Sequence, residues 1–169
     1  MGDHTPSSAA VRPRVARLLA VCAATALTAG CAASPSAPSS TAGSASLTAS
    51  LQFCADEINR YRASIGRAPL ERTDSLEQFA SEAARHDHEA GVPHLLFRNT
   101  NGGGVALAET QLLLWKNYQV REVIKEGLAR MWAAGPGGEH YAILAGPYTQ
   151  VGCGVFVDGT QVSVSQDFR

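Results

Sequence analysis

From Val151 onward, apolar and small residues alternate: Val151, Val155 and Val157 precede Asp158 and Gly159, and Val162 and Val164 follow. Period-two alternation on both sides of an Asp-Gly pair predicts an antiparallel hairpin, because Asp and Gly accept the positive φ of a tight turn. Upstream the period is helical. Leu51, Ala55, Ile58, Tyr61, Arg62 and Ile65 recur along one helix face and stop at Gly66. Leu76, Phe79, Ala80, Ala83, Asp87 and Ala90 trace the inner face of a second helix that ends at Gly91, with Asp74 and Glu77 at capping-box spacing at its start. A short helix is expected from Val105 to about Trp115, and Val120, Val123, Ile124, Leu128 and Met131 mark another, amphipathic one. Helices followed by a C-terminal hairpin argue for an α+β fold.

A chain of 169 residues, 45% hydrophobic and 17% charged, with a formal net charge of −1, suits one compact domain. Acidic and basic residues are interspersed from Asp56 onward, without the run of like charge that tracks a phosphate backbone, so no nucleic-acid partner is implied.

The N-terminal residues are of a different kind. Arg12, Arg14 and Arg17 precede twelve apolar or small residues, Leu18 to Ala29, which reads as an export signal over residues 1–30. Twelve residues are too few to span a bilayer. Leu27, Thr28, Ala29, Gly30 and Cys31 resemble a bacterial lipobox, in which the Cys31 thiol takes the lipid; Thr28 departs from the usual Leu. An ordinary secretory signal is the alternative, and both place the mature protein outside the cytoplasm. Residues 31–49 are nearly all Ser, Ala, Pro, Thr and Gly and read as a tether, leaving residues 50–169 as the domain. Its two cysteines, Cys54 and Cys153, lie in an oxidising compartment, where they either pair or stay as buried thiols.

Gly138, Glu139, His140 and Tyr141, then Val151, Gly152, Cys153 and Gly154, then a closing Gln166, Asp167 and Phe168 resemble the signature of the CAP superfamily of cysteine-rich secretory, antigen 5 and pathogenesis-related proteins. The resemblance covers roughly residues 50 to 169. It implies an α/β/α sandwich closed by an antiparallel C-terminal hairpin, and a cleft of two histidines and two acidic residues that holds a divalent metal in some members. Position by position, His94 matches the first cleft histidine, Glu109 the glutamate of a Glu-Asn-Ile element in which Thr110 replaces Asn, and His140 the second histidine. The family's Trp-x-x-Glu acid is missing, since Gly135 stands three residues after Trp132, and Glu139 is the substitute on offer.

Two imidazoles and one carboxylate leave a coordination position open on zinc, where a bound water is activated. Three functions follow as expectations: a membrane-tethered module binding a lipid, sterol or other envelope component; a metal-dependent hydrolase using His94, Glu109 and His140; or a purely structural envelope protein. The anchor would lie in the inner or the outer membrane. His86 and His88 diverge on a helix and cannot share an ion, so a surface or rim role is expected of them. Gly102 to Gly104 lack the Lys-Ser or Lys-Thr of a phosphate loop, and Ser163 and Ser165 stand without a nearby base.

Overall fold

The computed structural model describes the backbone of residues 40–116 and 119–169, with side chains from residue 46 onward. The export signal, Cys31 and the first part of the expected tether lie outside the described residues. Helix α1 spans Ser40–Ala63, so it begins well before the Leu51 periodicity. Ser and Ala are tolerated in a helix, and Ser50 satisfies its hydroxyl by donating to the Ser46 carbonyl at 3.0 Å. Strand β1 is the pair Glu71–Arg72. Helix α2, Asp74–Ala90, ends as expected at Gly91 in the left-handed conformation, φ 67. Its N-cap, however, is Thr73 and makes no side-chain cap bond; Glu77, the expected capping partner, instead accepts from Arg72 Nε at 2.6 Å.

Helix α3 (Leu95–Thr100) and a 3-10 turn at Gly102–Gly104 lead into strand β2, Ala108–Lys116. A helix was expected here, since the apolar run Leu112 to Trp115 fits either period. Pairing decides it: Ala108 aligns with Phe168 and Thr110 with Gln166 in an antiparallel ladder, broken by an irregularity between Leu112 and Trp115 where Leu114 takes φ 57. Helices α4 (Val120–Ala133) and α5 (Glu139–Leu144) precede the expected hairpin of β3 (Gln150–Asp158) and β4 (Gln161–Phe168). The sheet order is β1-β3-β4-β2, with β1 parallel to β3 and the other pairs antiparallel.

Alternation gives this sheet two unlike faces. On one, Val151, Cys153, Val162, Val164, Phe168 and Leu112 pack with Ile58, Val123, Ile124 and Leu128 of α1 and α4 in the main core. On the other lie Gly152, Gly154, Ser163, Ser165, Asp167, Glu109 and Gln111, under α2. The glycines admit α2 at backbone distance, because a Cβ at Gly152 would overlap the Leu76 carbonyl and one at Gly154 that of Ala80. The result is an α/β/α sandwich with an apolar layer on one side and a buried polar seam on the other. Cys54 and Cys153 do pair, bridging α1 to β3 across 99 residues of sequence.

Candidate functional site

The polar seam opens at one end into a cleft of about 320 Å³ lined by residues of α3, β2 and α5 together with His94. His94 ends the Gly91–Pro93 connection in a left-handed conformation, φ 58 and ψ 20, which disfavours a residue with a Cβ by roughly 1–2 kcal/mol. A buried network holds it there. The fully buried Asp87 accepts from Leu95 N at 3.0 Å, Leu96 N at 2.9 Å, Gln111 Nε2 at 3.0 Å and His86 Nδ1 at 2.9 Å. Gln111 in turn accepts from His94 N at 3.0 Å. The backbone on both sides of the His94 carbonyl is thus clamped to α2 and β2 through one carboxylate and one amide.

The imidazole is fixed separately. His94 Nδ1 donates to Glu109 Oε1 at 2.8 Å, and Ser165 Oγ donates to Glu109 Oε2 at 2.7 Å. Glu109, whose side chain is 1% exposed, spends both oxygens within the protein, while the half-buried His94 ring keeps Nε2 for the cleft. Directly across the ladder from Glu109 stands Asp167. Burial, and next the negative charge of Glu109, push its carboxyl up to about 9, with nearby Ser165 opposing the rise only in part; the Ser165 hydroxyl is directed to Glu109, and no hydrogen bond of good geometry reaches either Asp167 oxygen. The wall behind Glu109 therefore holds a neutral acid at pH 7.

Glu139 and His140 open α5, with Gly138 as N-cap. In this first helical turn the two neighbouring side chains both line the cleft. Two supports hold this short helix. Tyr141 packs at a tilt against Trp132, 4.5 Å between ring centroids, and Trp132 stacks on Tyr61 at 5.1 Å. Behind the C-terminal end, the buried Arg62 donates to the carbonyls of Leu144 at 2.8 Å, Gly146 at 2.9 Å, Ala68 at 3.1 Å and Tyr148 at 3.3 Å. Burial lowers the pKa of this guanidinium.

The structure thus brings His94, Glu109, His140 and the substitute Glu139 together. Among the described residues, no three His, Cys, Asp or Glu side chains stand close enough to hold a metal ion. Thr110 faces away from the cleft and donates to Gln166 Oε1 at 2.6 Å. His88 is not on the surface as expected: it is buried, bonded through Nδ1 to Ser163 Oγ at 2.8 Å and set edge-on to Phe156. The residues that sequence reasoning missed are Asp87 and Gln111, polar positions on otherwise inward-facing patterns, and Asp167, noted there only as part of the closing motif. A charged residue on the inner face of an amphipathic helix was the available signal for Asp87.

Comparison with known proteins finds the model of the family described as CAP, Cysteine-rich secretory protein family, matching residues 55–168. Among solved structures, an outer surface protein of Borrelia burgdorferi is similar with a TM-score of 0.51 and 18% identity, covering 70% of this chain and 90% of that one. A cysteine-rich secretory protein of Staphylococcus aureus is similar with a TM-score of 0.48 and 16% identity, over 72% of this chain and 39% of that one. No curated protein matches this sequence.

Proposed function

The chain belongs to the CAP, or cysteine-rich secretory protein, family, and from that membership we propose an exported, lipid-tethered envelope protein whose cleft binds an amphipathic ligand. Export is supported by the Cys54–Cys153 bridge, since disulfides persist in oxidising compartments. The basic and then apolar leader, with Cys31 as lipidation site, supports the tether.

The observation that carries the binding reading is convergence. Separate segments bring His94, Glu109, Glu139 and His140 to one cleft whose walls also include Phe97, Ile143 and Arg98, and a concave, partly apolar site with a few convergent polar groups is the form a ligand site takes. Arg98 is exposed, and none of the ion pairs among the described residues engages it. An apolar body with an anionic head suits such a cleft, as in a fatty acid, a lysophospholipid or a sterol sulfate. Calorimetric titration of the full chain in nanodiscs with lysophosphatidylglycerol or cholesterol sulfate is expected to show saturable binding, weakened about tenfold by Arg98→Ala. Absence of binding to both, where a positive control binds, contradicts the reading.

A divalent metal is the alternative occupant. A carboxylate that fixes one ring nitrogen and leaves the other free is the support zinc-binding imidazoles have elsewhere, and the Glu109–His94 pair has that form. His140 and Glu139 are the other donors on offer, but they do not close on one point with His94, so no hydrolytic step follows. Elemental analysis with thermal unfolding separates the cases: zinc uptake with a raised Tm favours a metal cleft, and no uptake removes the metal and hydrolase readings together. If His94→Ala and His140→Ala leave binding and cell-envelope phenotype untouched, a purely structural role remains.

A further inference from the structure

Near the start of α1 an apolar groove of about 300 Å³ lies between that helix and the hairpin, lined by Leu47, Val120, Val155, Phe156 and Val157. Leu47 is 44% and Val157 48% exposed. Single exposed apolar side chains are ordinary; these two edge one groove and so make a contiguous apolar surface. The cleft does not use them, and no described segment covers them.

Chain length says what lies within reach. Ser46, the first groove residue, follows Cys31 by fifteen positions. Ser40 to Ser46 belong to α1 and span about 9 Å of helix, and the nine steps from Cys31 to Ser40 extend at most about 30 Å. A lipid on Cys31 therefore keeps the groove within about 40 Å of the bilayer. At that tether length the effective concentration is roughly millimolar, and a contact too weak to form from solution is populated. Charge does not choose the partner: Lys116 and Asp158 both align with Gln161 beside the hairpin turn, and Arg121 and Glu122 lie together next to Ser46 and Ser50, so the two signs balance. The attraction is apolar, and salt leaves it intact.

We propose that the groove and the hairpin turn form a bilayer-facing surface, with Leu47, Val155 and Val157, the two valines on the α1 face of β3, seated at the boundary of lipid headgroups and acyl chains. This rests on the lipid-tether part of the proposed function. The test uses the full chain in vesicles of phosphatidylethanolamine and phosphatidylglycerol, with a nitroxide at Thr160→Cys in the turn or at Ile65→Cys, beyond the other end of α1. The ratio of oxygen to nickel accessibility is expected to be several-fold higher at position 160 than at position 65, and insensitive to added salt. Leu47→Asp with Val157→Asp, both at exposed positions, is expected to return position 160 to the water value without lowering Tm. In a chain whose intact mass carries the lipid, equal ratios at the two positions overturn this surface alone, as does a ratio that the aspartates leave unchanged. A mass without the lipid sinks the tether reading and this surface with it.

Discussion

Asp87 is a small residue with a large assignment, since its carboxylate takes donors from α2, α3 and β2 at once. Asp87→Ala leaves two backbone N–H groups and the Gln111 amide unpaired in a buried seam, and is expected to cost about 3–4 kcal/mol in chemical denaturation. Asp167 behaves in the opposite sense. Its carboxyl is held up to about 9, so between the ordinary aspartate range and that value the folded protein keeps a proton the unfolded chain has released. Stability therefore falls as pH rises through that window. Asp167→Asn, which carries no charge in either state, is expected to flatten the decline, so that the variant gains on the native chain from pH 5 to pH 8 in thermal unfolding. A native Tm independent of pH across that range would show that Asp167 is ionised in the fold.

The elements differ in how far local pattern determines them. Helices α2 and α4 and the β3–β4 hairpin were legible, because each carries enough turns or alternations for its period to stand out. Strand β2 was not: its run of Leu112, Leu113, Leu114 and Trp115 satisfies both periods, and only pairing with β4 selects the strand. Helix α5 is six residues long, too short to show a period, and is held by Arg62 and the Trp132 stack, contacts distant in sequence. For the same reason the set His94, Glu109 and His140 came from family resemblance, while the clamp of Asp87 and Gln111 came only from the structure. The close seat of α2 on the sheet rests on two missing Cβ atoms. Gly154→Ala drives a methyl into the Ala80 carbonyl and is expected to destabilise by about 3 kcal/mol. A loss under about 0.5 kcal/mol would mean that α2 has room to move, as an ordinary surface substitution would.

At the scale of the molecule, the Cys54–Cys153 bridge closes a loop of 99 residues in sequence, joining the first helix to the strand at the sheet's centre. Cys54→Ala with Cys153→Ala is expected to cost about 4 kcal/mol by the chain-entropy argument, read as a lower denaturant midpoint. What the fold achieves is to place an oriented imidazole from one layer opposite an imidazole and a carboxylate from another, beside apolar walls. Imidazole NMR of the full chain in nanodiscs, titrated with lysophosphatidylglycerol, tests that claim most directly. The His94 and His140 signals are expected to move together along one saturating curve while those of His86 and His88 stay in place; signals of His94 and His140 that shift at separate concentrations, or not at all, would contradict it.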